Sequence, residues 1–360
     1  MLNKINALLN SSGADCALLR TDGDKIDSNF YYLSQISKTS KLSSFLILRK
    51  NKKPLLITTV LEYGGLKGNK NFDVICYKGA KDFSSIVRKQ LKGKIGINYS
   101  YYTLSSFNKL KKVFPEKKFI DISSELTKLR GIKTKEEIKN IFEACRITEE
   151  VLVKVQDTVK VGMTEKELAD ELEYLAKKGG VENVSFPTIV AVGKNSSVPH
   201  HITWKTKIVT GKILLVDFGV IYNGYCSDLT RMFFIGRSNE NIRRTYSVVY
   251  KAQREAIKKI RENVKSSEVF NIANGILEKR LGQKLIHSLG HGLGIDVHDY
   301  PSRMSEKSAF VLKENMCLTV EPAYYGRNFG IRIEDDVVVK KNGCRLLSDA
   351  PRELVEIYVS

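Results

Sequence analysis

LLVDFGVIYNGYCSDLTRMFFIG, residues 214–236, is the stretch that decides the fold of the region around it. Two runs rich in Val, Ile, Phe and Tyr flank Asn223 and Gly224, a pair that favours a type I′ turn because both residues tolerate positive φ. The pattern therefore predicts a β-hairpin with a two-residue turn. Such a turn sets the pairing of the two strands, so Tyr222 is expected to face Tyr225.

The same register places two acidic side chains beside each other. Gly219 faces Asp228 across the hairpin, and Asp217 shares the face of Gly219 because alternate residues of a strand point to one side. The two carboxylates are therefore expected as diagonal neighbours. Like charges in an apolar hairpin are costly unless a cation lies between them, and a divalent metal ion is one such cation. The alternative is a solvated acidic face with Thr230 and Arg231 as partners.

The composition indicates a folded, soluble chain. Its 360 residues, 42% of them hydrophobic, are enough for packed cores in one large or two ordinary domains. No apolar run reaches the roughly 18 residues of a membrane span, and the N-terminal apolar stretch is too short for a secretory signal, so a cytoplasmic protein is expected. The cysteines are scattered without a CxxC pair, which favours reduced thiols over a disulfide frame or a zinc knuckle.

The net charge of +19 raises the question of a nucleic-acid partner. Lys and Arg are spread along the whole chain, and no RRM, helix-turn-helix or arginine-rich pattern concentrates them. A solvated basic surface is the preferred interpretation, because net charge bears first on solubility and nonspecific association.

Two domains are predicted. Residues 1–125 alternate strand-like and helix-like runs without a histidine, and they predict a small α/β domain that serves in oligomer contacts or in closing a site elsewhere. Residues 126–134 are expected to be a linker. Residues 135–360 form the second domain, which begins with a capping box: Thr134 is followed three residues later by Glu137, ahead of a long amphipathic helix.

All five histidines lie in the second domain. Three of them fall within HSLGHGLGIDVHD, residues 287–299, where the glycines make a regular helix improbable. Glycine at these places favours close approach of the backbone to a ligand. A cluster of this kind is harder to explain as separate core or surface histidines than a single histidine would be.

Two acidic residues near the C-terminus complete the candidate set. Glu321 ends an apolar strand before Pro322, and Glu334 lies in a run, GIRIEDDVVV, that is predicted to be one strand with Arg332 and Glu334 on the same face. The alternative for Glu334 is a plain salt bridge to Arg332. Four carboxylates and one imidazole would form an oxygen-rich site suited to Mn²⁺, Co²⁺ or Zn²⁺, and too poor in sulfur for a structural zinc.

These residues resemble the pita-bread metallopeptidases of family M24, which include methionine aminopeptidase, aminopeptidase P and prolidase. The family's ordered ligands appear here in LLVDFG, CSDLTR, LGHGLG, TVEPAYY and RIEDD, as Asp217, Asp228, His291, Glu321 and Glu334. The resemblance covers the chain from about Lys133 onward, and the earlier domain is more loosely similar to that of the creatinase and prolidase branch. It implies an α+β protein with a C-terminal pita-bread (creatinase/aminopeptidase) fold and a smaller N-terminal α/β creatinase-type domain.

The resemblance also implies two divalent metal ions per chain, Mn²⁺ or Co²⁺ with Zn²⁺ as the alternative. Asp228 and Glu334 would bridge the ions, and a bridging hydroxide would attack the carbonyl of the bond before proline. Glu321 is implied as the proton shuttle to the leaving nitrogen, while His200 and His298 would steady the substrate and the tetrahedral intermediate.

Further roles follow from the same resemblance. Phe186 and His287 are expected in the substrate pocket together with His200 and His298. Arg332 is expected to hold Glu334 as a supporting residue. His201, next to His200, is expected to be a bystander.

The implied function is that of an Xaa-Pro dipeptidase, or prolidase, acting on a proline-containing dipeptide or short peptide, with a homodimer as the expected assembly and neither membrane nor nucleic acid as a partner. An Xaa-Pro aminopeptidase acting on longer peptides is the alternative. Ala323 and Asp299 depart from the family pattern and leave that choice open. A creatinase-like hydrolase that uses the fold without metal and a non-catalytic nucleic-acid-binding protein are two less favoured hypotheses.

Overall fold

The structure is a computed structural model that describes residues 1–23, 25–37, 40 and 42–358. The chain divides into two compact units, Met1–Arg130 and Gly131–Ser360. The first four residues of the predicted linker, 126–129, belong to a helix, Ser123–Leu129, and Leu126 is buried, so this part of the chain is not an exposed connection. Among the described residues, no helix is long and apolar enough to cross a membrane.

The first unit is built on a six-stranded sheet in the order β4-β3-β2-β1-β5-β6. Strand β1 pairs antiparallel with β2 and parallel with β5, so the sheet is mixed. Its strands are β1 Cys16–Asp22, β2 Ser43–Arg49, β3 Leu55–Thr58, β4 Asp73–Cys76, β5 Lys94–Ile97 and β6 Lys118–Asp121. Its helices are α1 Leu2–Ser12, α2 Ser28–Ser34, α3 Val60–Leu66, α4 Ala80–Gln90, α5 Leu104–Val113 and α6 Ser123–Leu129.

The described part of the second unit contains five further α-helices, α7 Lys135–Val153, α8 Val155–Thr158, α9 Glu165–Lys178, α10 Glu240–Lys259 and α11 Ser266–Leu281. The predicted capping box at Thr134 and Glu137 is present, with each side chain bonded to the other's backbone N–H. A second box of the same kind, at Thr164 and Glu167, begins α9. These caps satisfy backbone donors that the first turn of a helix leaves free.

Four sheets accompany these helices, in the orders β20-β12-β9-β8, β14-β13-β15-β18-β19, β11-β10-β7 and β16-β17. Their strands are β7 Asn183–Val184, β8 Ile189–Val192, β9 Ile213–Phe218, β10 Val220–Tyr222, β11 Tyr225–Cys226, β12 Leu229–Ile235, β13 Gly290–Gly292, β14 Asp299–Met304, β15 Cys317–Val320, β16 Ala323–Tyr325, β17 Gly330–Arg332, β18 Asp335–Lys340, β19 Gly343–Leu346 and β20 Val355–Ile357. The segment with the glycine-rich histidines is thus a strand and loops, not a helix.

The predicted hairpin is present with the predicted turn. Asn223 and Gly224 have φ of 46° and 77°, as a type I′ turn requires, and Tyr222 faces Tyr225. The register continues unchanged into the next sheet, where β9 pairs with β12. Between the two pairs lies Gly219, at which a Cβ atom would overlap the carbonyl oxygen of the facing strand. Only glycine lets the strands approach so closely there.

Strand β9 is buried on both of its faces. Leu214 and Val216 belong to a core that includes residues of α7 and α9, whereas Ile213 and Leu215 belong to a core that includes residues of α10 and α11. By strand alternation Asp217 follows on the face of Ile213 and Leu215. A carboxylate is thereby placed at the end of an otherwise apolar face.

Candidate metal centre

The five residues predicted as metal ligands meet in one cleft of about 820 Å³. They come from five places in the fold: Asp217 from β9, Asp228 from the residue before β12, His291 from β13, Glu321 from the residue after β15, and Glu334 from the two-residue segment between β17 and β18. Ligand atoms of Asp228, His291 and Glu334 all lie within 4.8 Å of one another. The hairpin therefore brings its carboxylates to residues that are distant in the chain.

His291 presents one ring nitrogen to the carboxylates. Its Nδ1 lies 3.1 Å from the carbonyl oxygen of Gly292, which can only accept, so Nδ1 carries the proton. Its Nε2 lies 3.6 Å from Asp228 Oδ2 and 3.8 Å from Glu321 Oε1. Burial, with His298 nearby, lowers the pKa of His291 to about 4, so the ring is neutral and Nε2 has a free lone pair, as a metal ligand needs.

The carboxylates of the cluster repel one another. Burial raises the pKa of Asp228 well above its usual value, and the charges of Glu334 and Asp217 raise it further. Burial likewise raises the pKa of Glu334, with Glu321 as the next cause. For Glu321, burial raises the pKa to about 8, while Arg332 opposes the shift. Buried carboxylates in this arrangement need a cation before all of them can ionise.

The residues fit a divalent metal ion. Asp217 Oδ1 is buried and has no hydrogen-bond partner among the described residues, so this oxygen of Asp217 is available to coordinate a metal ion. The donor set of carboxylate oxygens and one imidazole nitrogen suits a divalent transition metal. The alternative of a solvated acidic face is wrong, because Asp217 and Asp228 are only 7% and 6% exposed.

Arg332 holds a different ligand from the one predicted. Its guanidinium donates to Asp217 Oδ2 at 2.5 Å and to Thr230 Oγ1 at 3.1 Å. The Thr230 hydroxyl in turn donates to Glu334 Oε2 at 2.7 Å, so Arg332 reaches Glu334 only through Thr230. The prediction of a direct pair was wrong because GIRIEDDVVV is two strands: β17 ends at Arg332, so Arg332 and Glu334 do not share one strand face.

Tyr325 is a cleft residue that the sequence pattern did not predict. His287 Nδ1 lies 2.7 Å from the carbonyl oxygen of Ser288 and must carry the proton, so its Nε2 accepts a hydrogen bond from the Tyr325 hydroxyl at 3.1 Å. The same hydroxyl accepts from Arg332 at 2.9 Å. Burial lowers the pKa of His287 to about 4, which agrees with a neutral ring. No pattern in the sequence distinguishes Tyr325 from its neighbour Tyr324.

Asp336 was not predicted either, although it supports the hairpin directly. Its Oδ2 accepts from the backbone N–H of Asp228 at 2.9 Å and from the Cys145 thiol at 3.1 Å. Burial raises the pKa of Asp336 to about 8 and raises that of Cys145 well above its usual value. A thiol that keeps its proton can serve as this donor. The only sequence signal was a second acidic residue after Glu334.

The remaining predicted residues lie along the same cleft. The ring of His298 is 4.2 Å from that of His291, centroid to centroid, and partial burial followed by the charge of Arg303 lowers the pKa of His298. His200 is exposed, and Phe186 is half-buried with a ring carbon 3.1 Å from the position that a Cβ of Gly219 would take. The structure thus gathers the predicted substrate residues around the predicted ligands.

Known protein families match both units of the chain. Residues 139–341 match metallopeptidase family M24, and residues 1–132 match the creatinase/prolidase N-terminal domain. The chain belongs to metallopeptidase family M24. The family, the α+β fold with its two domain types, and the enzyme class, a metallo-exopeptidase, are confirmed as predicted. Membership also implies divalent metal ions, which the ligand set accommodates.

Relatives of this M24 chain span nearly its full length. It is 35% identical over 329 residues to the Xaa-Pro dipeptidase of Pyrococcus furiosus, covering 91% of this chain and 92% of the relative. The solved X-Pro aminopeptidase from Thermotoga maritima superposes with a TM-score of 0.90 at 33% identity, covering 98% of this chain and 100% of that one. For the prolidase from Pyrococcus horikoshii the TM-score is 0.88 at 31% identity, with 98% and 99% covered.

Proposed function

We propose that this M24 metallopeptidase is an Xaa-Pro dipeptidase that hydrolyses the peptide bond before proline with two divalent metal ions. The observation that carries the proposal is the buried group of Asp228, His291 and Glu334, whose ligand atoms lie within 4.8 Å of one another in the cleft and whose two carboxylates repel each other. Substrate class is supported by the similarity to an Xaa-Pro dipeptidase over 91% of this chain.

Asp217, Asp228, His291, Glu321 and Glu334 would hold the ions. When bound, such ions lower the pKa of a coordinated water and polarise a carbonyl oxygen. Mn²⁺ or Co²⁺ is proposed ahead of Zn²⁺, because four of the five ligands are carboxylates. The protein contributes the buried, preorganised carboxylates between which the ions would lie.

Three side chains have proposed roles at the reacting bond. Glu321 carries a proton to the leaving nitrogen of proline, a role supported by the burial that raises its pKa to about 8. His298, beside His291, and His200, on the cleft wall, donate hydrogen bonds to the substrate carbonyl as it becomes tetrahedral.

The proline ring is proposed to lie against His287 and Phe186. Both ring nitrogens of His287 are already bonded, to Ser288 and Tyr325, so the rest of its ring offers carbon atoms to a ligand. Phe186 supplies a second apolar surface in the same cleft. Apolar walls with few polar groups suit a pyrrolidine ring.

A second candidate is an Xaa-Pro aminopeptidase that acts on longer peptides. The cleft of about 820 Å³ lies toward the upper end of the range for small-molecule sites, roughly 300–1,000 Å³. Ile202, Trp204 and Ile286 line it and remain exposed, so further substrate residues could contact them. The X-Pro aminopeptidase structure similar to this chain supports the same possibility.

The test compares two substrates on one preparation. The protein is freed of metal with a chelator, reloaded with Mn²⁺, Co²⁺ or Zn²⁺, and assayed with an Xaa-Pro dipeptide and with the matching Xaa-Pro-Yaa tripeptide. Metal-dependent cleavage of the dipeptide supports the proposal, and preference for the tripeptide supports the aminopeptidase. Absence of metal-dependent release from either would refute both. Activity that persists without metal would point to a creatinase-like hydrolase. Salt-sensitive nucleic-acid binding without bound metal would point to a non-catalytic nucleic-acid-binding protein.

A homodimer in the cytoplasm is part of the same proposal. The six cysteines are free thiols, as a reducing compartment allows. Light scattering of the eluted protein at two concentrations would test the assembly, and a mass of one chain at both would contradict it.

A further inference from the structure

Glu165 is a buried carboxylate that the proposed reaction does not use. It is the first residue of α9 and is 0% exposed. Its Oε1 accepts hydrogen bonds at 2.8 Å from the backbone N–H of Val192 and from Asn195 Nδ2. Its Oε2 lies 2.8 Å from His201 Nε2, which must therefore be the protonated nitrogen. A buried carboxylate with three donors is fully engaged, and its partners are held in place by it.

The start of α9 also binds the loop of residues 192–206 through its backbone. The N–H of Glu165 donates to the carbonyl of Thr206, and the N–H of Lys166 donates to the carbonyl of Trp204, both at 2.9 Å. Residues 192–206 are thus attached to the helix at Val192, at Asn195, at His201 and near Trp204. This loop forms one wall of the cleft.

His200 lies between two attachments of that loop. On one side, the carbonyl of Pro199 accepts from Arg332, which also holds the ligand Asp217. On the other side, His201 is bonded to Glu165. His200 itself is exposed to the cleft, so its position depends on the backbone at its two neighbours.

We propose that His201 is a positioning residue: its bond to Glu165 fixes the loop that carries His200, so the two histidines act as one unit. The proposal rests on the proposed function, because His200 must face the substrate for the position to matter. Loss of the His201 donor would leave one oxygen of a buried carboxylate unpaired, and the loop would shift to restore a partner. Misplacement of a substrate-positioning group by about 1 Å can cost roughly 100-fold in rate.

The test is a double-mutant cycle with His200→Ala, His201→Leu and the double variant. His201→Leu removes the donor but keeps an apolar side chain, and we expect kcat/KM for an Xaa-Pro dipeptide to fall about tenfold or more, chiefly through kcat. In the His200→Ala background the same change should have little further effect, because coupled residues are non-additive. His201→Gln places an amide donor near Nε2 and should restore activity to within about threefold.

Metal content per chain should stay unchanged in all of these variants, since neither histidine is a proposed ligand. Losses that add in the double variant would overturn the proposal, as would a His201→Gln protein no more active than His201→Leu. Either result would show that His201 acts independently of His200.

A second readout does not depend on activity. Trp204 is the only tryptophan of the chain and lies in the same loop, half exposed, with its carbonyl bonded to α9. Its fluorescence should become more accessible to acrylamide and less anisotropic in His201→Leu, but not in His201→Gln. Unchanged Trp204 quenching and anisotropy would overturn the anchoring role. If the wild type cleaves no Xaa-Pro peptide, the proposed function fails while this measurement still decides whether His201 fixes the loop.

Discussion

Glu334 and Asp335 are adjacent buried carboxylates that the structure treats in opposite ways. Asp335 accepts from Arg231 at 2.6 Å, from Arg352 at 2.7 Å and from Gln253 at 3.0 Å, and it is 0% exposed. Glu334 is 2% exposed and its side chain accepts one hydroxyl hydrogen bond, while burial, followed by the neighbouring carboxylates, raises its pKa. Two successive residues of one segment thus lie in opposite electrostatic surroundings.

The difference distinguishes a structural charge from a functional one. At Asp335 the protein supplies its own cations, Arg231 and Arg352, so this carboxylate needs no cation from outside the chain. At Glu334 burial and the carboxylates of Glu321 and Asp217 raise the pKa, and Arg332, which is bonded to Asp217, opposes the shift only in part, so a further cation is needed to balance the cluster. Burial alone therefore does not reveal a metal site, whereas burial among like charges does.

The largest expected effect is that of Asp228→Asn. It removes a ligand, so kcat/KM should fall more than about 100-fold, beyond the roughly 10–100-fold cost of altering residues that only orient ligands. The metal-free fold should persist, because one repelling charge is gone. Elemental analysis would measure the metal content, steady-state kinetics would measure kcat/KM, and thermal unfolding with and without metal would measure the stability of the fold. A fully active Asp228→Asn protein would contradict the ligand assignment.

Asp335→Asn should lower the stability of the fold and leave metal binding unchanged, which is the reverse of Asp228→Asn. It leaves the guanidinium of Arg231, only 4% exposed, without its charged partner, which should cost about 3–5 kcal/mol in the free energy of unfolding. Urea unfolding would measure the loss, and metal bound per folded chain should stay unchanged. Normal stability with lost metal would reverse the roles assigned to the two residues.

Arg332→Lys should have an intermediate effect. Lysine keeps the positive charge but cannot reproduce the guanidinium fork that joins Asp217, Thr230 and Tyr325. Metal affinity should fall about 10–100-fold, as measured by titration with a metal-binding dye. Arg345→Lys, the same change at an exposed position, is the control and should bind metal normally.

The last expected effect is on the pH dependence of the metal-free protein, where no change in activity is involved. Burial raises the pKa of Glu321 from 4.5 to about 8, so between these values the folded chain holds a proton that the unfolded chain releases. The free energy of unfolding should therefore fall as pH rises through this window. Urea unfolding in chelator would show it, and Glu321→Gln should reduce the slope. A stability that rises with pH, with an unchanged slope in the variant, would refute the assignment.

Local signals were enough for much of the fold. The Asn223-Gly224 turn set the hairpin register, and the capping box at Thr134 marked a helix start, because each depends on residues a few positions apart. Family resemblance supplied the ligand set. The partner of Arg332 was predicted wrongly, because a break between two strands leaves no mark in an alternating apolar pattern.

The supporting residues could not be predicted for a different reason. Tyr325 and Asp336 act through contacts with residues distant in the chain: Asp336 bonds the backbone of Asp228 across 108 positions. The bond between His201 and Glu165 spans 36 positions, and nothing near His201 in the chain indicates it. Sequence order in a single chain carries no information on such contacts.

By itself the sequence determined the hairpin, the pairing of its strands and the placement of Asp217 and Asp228 as diagonal neighbours, because a turn and the period of a strand are local properties. Only the tertiary structure decided which buried carboxylates have cationic partners. Arg231 joins Asp335 across 104 positions, while Asp228, Glu321 and Glu334 meet without a cation of the described chain to balance all of them. Charge compensation depends on distances in space, and packing alone sets those distances.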